Sequence, residues 1–219
     1  MRPSSRTLIL DAAVRVTDRQ GITALTLEAT AEEAGLTKGG LLYHFRTRED
    51  LLLAIQRHLV QGWEERLLAE LGRPWTQASP TERGAAYVRV MMRGEVRHAD
   101  LAFMVEAESN PDLAQIWNEL MERWAPTPQS PDPQGLDLFL ARLAVDGLWL
   151  FNATSGNALP EEVARALRAR VAELTVGGPQ APETKGANSP VTVTEGANTP
   201  VTETEGENTP VTETKGENR

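Results

Sequence analysis

The chain has 219 residues, 40% of them hydrophobic, and a formal net charge of −9. It has no cysteine, which excludes disulfides, zinc–thiolate centres and thiol nucleophiles. The acidic sum argues at first against a nucleic-acid partner, but it is unevenly spread: residues 1–58 carry 8 Lys and Arg against 7 Asp and Glu, whereas the segment from Glu183 carries 3 against 7.

The N-terminus, MRPSSRTLILDAAVRV, has no long apolar core and no small-residue cleavage site, so no signal peptide is expected. No run of about twenty apolar residues is present to span a membrane. Asn152-Ala153-Thr154 has the form of a glycosylation sequon, and without a secretory signal it is a chance match.

A first helix is expected from Ser4 or Ser5 to Gln20, with Leu8, Ala12 and Val16 on one stripe, and Gly21 ends it. Then comes the segment LTLEATAEEAGLTKGGLLYHFRTREDLL, Leu25 to Leu52. Thr26 is an N-cap for a helix over 27–34, because its hydroxyl can accept from an orphan backbone N–H. Gly35 supplies a left-handed stop, and Thr37 caps a second short helix that runs to Phe45. Two short helices joined by a tight turn containing Gly have helix-turn-helix spacing. Ala31 and Ala34 are small where the two helices must approach. The Thr30 hydroxyl can bond back to the preceding turn. Leu41 and Phe45 are four apart and share a buried face. Lys38, Gly39, Gly40, Leu42, Tyr43 and His44 are left for the other side, with Arg46 and Arg48 adding positive charge. Glu28 is an acid in an unexpected place for a phosphate-facing helix, and it can instead serve its own helix N-terminus.

The residues Ala31 to Leu52, including the YHF tip and the basic-x-basic-acid approach to the next helix, resemble the DNA-binding domain of the TetR family of one-component transcriptional regulators. The resemblance implies that Thr26, Thr37, Lys38, Gly39, Gly40, Leu42, Tyr43, His44 and Arg48 face duplex DNA. It also implies an effector cavity in the later helices and a homodimer.

A fourth helix is expected from Thr47 to Leu71, with Glu49 and Asp50 in its first turn. After Pro80 the pattern predicts a helix over 81–98, a shorter one over 101–108, and one from Asn110-Pro111 to Trp124. The loop APTPQSPDPQ precedes a strongly apolar helix ending near Asn152, and Pro160 opens a last helix to Leu174. No β-alternation of any length is present, so the fold expected is all-α with about nine helices. The expected domains are a helix-turn-helix head over 1–48, a helical ligand-binding and dimerisation domain over 49–178, and an acidic tail over 179–219. From Glu183 the tail is a decapeptide repeat, in which Val is the only sizeable apolar residue. It is expected to be disordered, with a DNA mimic or a partner tether as the alternatives.

Candidate chemistry is thin. His44, His58 and His98 stand in no metal-ligand spacing, and there is no GxSxG, P-loop or GxGxxG before a strand. No catalytic residue, metal or cofactor is expected. Met and aromatic side chains suit an adaptable apolar cavity, and Trp63, Met91, Phe103, Trp117, Met121 and Trp149 are its candidate lining. His98 and Glu106 are the candidate polar anchors. Leu136, Leu140, Leu143, Gly147 and Leu150 form a stripe suited to a homodimer through about 134–152 and 160–175. The expected partners are therefore operator DNA, a second copy of the chain and a small apolar or amphipathic effector, in the cytoplasm and with no membrane. The function expected is that of a ligand-responsive homodimeric repressor on a palindromic operator, with an activator of the same fold or an interaction module without operator binding as the alternatives.

Overall fold

The computed structural model describes residues 4–93, 97–156 and 159–175. They belong to the first of the chain's two units, Met1–Gln180 and Ala181–Arg219, so the acidic repeat lies outside the described residues. Among the described residues there are nine α-helices, two 3-10 turns and no strand. The helices are α1 (Ser5–Gln20), α2 (Leu27–Glu33), α3 (Lys38–His44), α4 (Arg48–Leu71), α5 (Pro80–Arg93), α6 (His98–Ser109), α7 (Pro111–Trp124), α8 (Pro133–Thr154) and α9 (Glu161–Thr175).

Local chemistry sets most of the boundaries. Ser4, Thr26, Thr37 and Thr47 each cap a helix by accepting a backbone N–H three residues on. At α4 the cap is reciprocal, because Asp50 also accepts from the Thr47 N–H. Asn110 and Asp132 cap α7 and α8, each followed by a proline that needs no N–H partner. That pair starts α8 at Pro133, ahead of the expected position inside the loop.

The boundaries of α5 and α6 also differ from the sequence expectation. The chain breaks before His98, and α6 runs His98–Ser109, whereas the pattern predicted helix up to 98 and a new start at 101. The cause is tertiary. Asp18 on α1 accepts the Ala99 N–H at 2.7 Å, satisfying an orphan donor at the start of α6 that local sequence leaves open.

Two cores result. The first joins Ile9, Leu10 and Val16 of α1 with Leu25, Leu41 and Phe45 of the hairpin, and extends past residue 48 to Leu51, Leu52 and Ile55 of α4. Phe103 of α6 and Leu113 of α7 complete it. The second joins Val60, Trp63 and Leu67 of α4 with Tyr87 and Val88 of α5, Leu120 and Trp124 of α7, Ala141 and Val145 of α8, and Val171 of α9. At 24 residues, α4 is about 36 Å long and so contributes to both.

Candidate functional site

The hairpin is built from the inside out. Leu25, Leu41 and Phe45 are buried and fix α3 against α1 and α4. Gly35 has φ +67°, a left-handed backbone that a Cβ would strain, and it lets Leu36 N–H reach Ala31 O at 2.9 Å. At Gly40 a Cβ would sit 3.3 Å from the Thr37 hydroxyl that caps α3, a tight contact against the cap. Leu36, in the turn between the two helices, is 37% exposed.

The outward side of α3 is open. Tyr43 is 86% exposed, with its ring edge-on to His44 at 5.2 Å. Thr26, Thr37, Lys38, Gly39 and Leu42 are exposed, while Gly40 and His44 are half-buried. Arg46 and Arg6 are exposed beside them, with the Arg6 guanidinium 5.1 Å from the centre of the Phe45 ring. Arg6 was not visible as a candidate, because it lies on α1, thirty-nine positions before the ring it covers.

Two expected contacts are arranged differently. Lys38 Nζ is paired with Glu28 Oε1 across the hairpin, and that bond holds the Glu28 carboxyl below its ordinary range. Arg48 is turned away from the tip. Its guanidinium donates to Leu25 O at 2.9 Å and Ile22 O at 3.2 Å, and lies 4.0 Å from Glu106 on α6. It therefore braces the turn before α2 rather than standing beside Tyr43. On the inner side, Glu33 is gripped by Arg19 and Arg15 of α1, which hold its carboxyl at about 2. Thr30 is fully buried, and its hydroxyl has no hydrogen-bond partner, so the expected bond to the preceding turn is not made.

Where the two cores meet there is a cavity of about 380 Å³. Trp63, Met91, Phe103, Trp117, Met121 and Trp149, spread over five helices, all line it. Trp63 and Trp117 meet edge to face at 6.4 Å. Of the expected anchors, His98 is exposed and not in the wall, and Glu106 faces Arg48 instead. The polar wall is made of Gln56, Tyr87, Asp100, Arg142 and Asp146. Tyr87 donates its hydroxyl to Asp146 Oδ1 at 2.7 Å, and Arg142 Nε lies 3.4 Å from Asp146 Oδ2. Burial pushes the Tyr87 hydroxyl well above its usual range, and the Asp146 charge adds to the effect. Burial also raises Asp146, against the Tyr87 bond and the Arg142 charge. Asp100 is raised by burial too, against Trp63 and the charges of Arg97 and Arg66.

On α8 and α9 a row of large apolar side chains is left uncovered by this chain: Leu136, Leu140, Leu143, Leu150, Phe151, Val163 and Leu167. Leu143 and Leu150 belong both to that row and to the cavity wall. Among the described residues no helix is long and apolar enough to cross a membrane, and no group of three acids or histidines could hold a metal ion.

Comparison with known proteins places these features. Residues 9–55 match the family model described as "Bacterial regulatory proteins, tetR family", and residues 82–176 match "Tetracyclin repressor-like, C-terminal domain". The HTH-type transcriptional regulator BetI of Cronobacter sakazakii is 28% identical over 197 residues, 84% of this chain and 96% of that one. Among solved structures, the multidrug binding protein EbrR complexed with imidazole is 25% identical, with a TM-score of 0.52 over 78% of this chain and 96% of its own. The same protein complexed with ethidium is 26% identical, with a TM-score of 0.51 over 78% and 99%. A transcriptional regulator from Rhodococcus sp. Rha1 shares the fold, with a TM-score of 0.57, 23% identity, and coverage of 78% and 96%.

Proposed function

Since the chain belongs to the TetR family of helix-turn-helix transcriptional regulators, we propose that it is a cytoplasmic, homodimeric repressor released from its operator by a small apolar or amphipathic molecule. Thr26, Thr37, Lys38, Gly39, Gly40, Leu42, Tyr43 and His44 are the proposed contacts to duplex DNA, joined by Arg6 and Arg46. Tyr43 presents a large exposed ring that the fold itself does not use. Arg48 acts behind this surface by fixing the turn that carries α2.

The observation that carries the regulatory reading is the position of the cavity. Leu59 and Phe103 line it and are also members of the head core, while Trp63, Tyr87 and Met121 line it from the other core. A molecule entering there must displace or tighten α4 and α6. Both helices are tied to the head, through Leu51 and Leu52 on α4 and through the Ala99–Asp18 bond and the Glu106–Arg48 contact on α6. The cavity volume lies within the range of about 300–1,000 Å³ common for small-molecule sites. EbrR, which shares the fold, holds imidazole and ethidium.

The uncovered stripe on α8 and α9 supports a second copy as the partner, in a two-fold, self-complementary contact. The same contact would cover Leu143 and Leu150 where the cavity reaches the surface. Two heads held by one symmetry axis read a near-palindrome.

The test is a titration of the DNA-bound protein with a panel of small apolar compounds, following tryptophan fluorescence and DNA affinity together. An effector should change both, with a coupling of about 1–3 kcal/mol. A panel in which fluorescence responds and DNA affinity never does would remove the sensor reading.

A further inference from the structure

Trp149 Nε1, Arg142 Nε and Asp100 Oδ2 are buried without a hydrogen-bond partner, and Asp100 Oδ2 is the acceptor among these three atoms of the cavity. Asp100, in the first turn of α6, lines it and is only 8% exposed. Its Oδ1 accepts one long bond, from Trp63 Nε1 at 3.4 Å, and its Oδ2 has no hydrogen-bond partner. The other acid in the wall is engaged: Asp146 holds the Tyr87 hydroxyl and faces Arg142. With Arg142 matched to Asp146, the lining carries one carboxylate more than it carries cations.

The nearest charges do not remove the deficit. Arg66 and Arg97 act on Asp100 through space, and Asp18 opposes them. The Arg66 guanidinium lies over the Trp63 ring, 3.8 Å from its centre, and donates to Gly62 O. Asp18 is committed to the Ala99 N–H. A buried carboxylate without a full set of donors is costly, and burial accordingly raises the Asp100 carboxyl. What would relieve it is a positive N–H donor arriving from the cavity. The remaining wall suits the rest of such a molecule: Trp63, Trp117 and Trp149 present indole rings, which attract cations electrostatically and bury hydrocarbon.

We propose that the cavity takes an organic monoamine in its ammonium form, with an N–H donated to the Asp100 carboxylate and its hydrocarbon body held among Trp63, Trp117 and Trp149. The proposal rests on the cavity being the effector site and narrows the effector to one charge type. It requires a donor hydrogen, so positive charge alone is not enough. A quaternary ammonium has no hydrogen to give to Asp100.

The experiment compares three ligands of nearly one shape on the full chain at neutral pH: naphthylmethylamine, its trimethylammonium counterpart and the uncharged naphthylmethanol. Binding is measured by tryptophan fluorescence and calorimetry, and release of DNA is followed in parallel. A charge-assisted hydrogen bond predicts that the amine binds about tenfold or more tighter than the alcohol, with the trimethylated compound losing most of that advantage. In Asp100→Asn the amine-to-alcohol ratio should collapse towards one. The proposal is overturned if the alcohol binds as well as the amine, if the trimethylated compound matches the amine, if Asp100→Asn keeps the preference, or if the amine does not bind. Should Asp100→Asn not fold, the three ligands on the unaltered chain decide the matter alone. The broader reading fails differently: an amine that binds selectively yet leaves DNA affinity unchanged upholds this site and removes its regulatory role. An alcohol that binds equally and releases DNA does the reverse.

Discussion

Replacing Thr30 by Val should stabilise the protein, and the structure sets the size of the effect. Thr30 is fully buried in α2, behind the surface that carries Tyr43, and its hydroxyl has no partner. An unsatisfied buried hydroxyl costs about 1–3 kcal/mol. Valine has the same branched shape, so the substitution removes that cost without leaving a hole, and it adds a buried methyl in place of the hydroxyl. Rotamer restriction in the helix is similar for the two residues. A net gain of about 1–2 kcal/mol is expected, which for a chain of this size raises the midpoint of thermal unfolding by about 3–6 °C. Thermal and urea unfolding followed by far-UV circular dichroism measure it, with affinity for DNA as a control that should not move. A loss of stability in Thr30→Val would refute the reasoning. It would mean that the hydroxyl does bond back to the preceding turn, as the sequence alone suggested.

Other outcomes follow from the head and the tail. Glu28→Gln should release Lys38 for phosphate and raise DNA affinity most at low salt, whereas Lys38→Ala should lower the salt slope by about 1; anisotropy titrations at two salt concentrations read both, and a weaker Glu28→Gln complex counts against the arrangement. Tyr43→Ala should weaken operator binding without changing the circular dichroism spectrum, because the ring is 86% exposed and stands edge-on to His44. Normal binding by that variant would place the reading surface elsewhere. The Glu33 carboxyl is depressed from 4.5 to about 2, so it contributes stability above 4.5 that is lost as pH falls towards 2. Glu33→Gln should flatten the acid limb of the stability profile in that window, and profiles of equal steepness would show that the Arg15 and Arg19 pairs contribute nothing. Cutting the chain after Gly178 removes the acidic repeat and should leave specific DNA affinity unchanged or slightly higher at low salt. A large loss of affinity or of dimerisation on truncation would assign the repeat a structural role.

Much of the head was legible because its signals are local. Thr26, Thr37 and Thr47 are caps whose partners lie three residues away, and Gly35 marks a left-handed turn wherever it stands. The apolar residues of the cavity wall could be named in advance, since a large Trp or Met side chain gains most by leaving water. What escaped were the contacts between distant segments. Nothing near Arg48 announces that it will reach back to Ile22 and Leu25, and nothing near His98 announces that Asp18 will cap its helix. Asp100 and Asp146 read as ordinary helix acids in sequence. Only the packed structure shows that Asp100 is buried and Asp146 half-buried, both in the cavity wall.

The central claim is that two copies of this chain read one symmetric site on duplex DNA. Selection of bound fragments from a random duplex library with the purified full chain tests it most directly. A near-palindrome whose half-sites are about one helical turn apart, roughly 34–36 Å, should be enriched and bound by a dimer. Enrichment of an asymmetric or single-stranded site, or no enrichment at all, would contradict it.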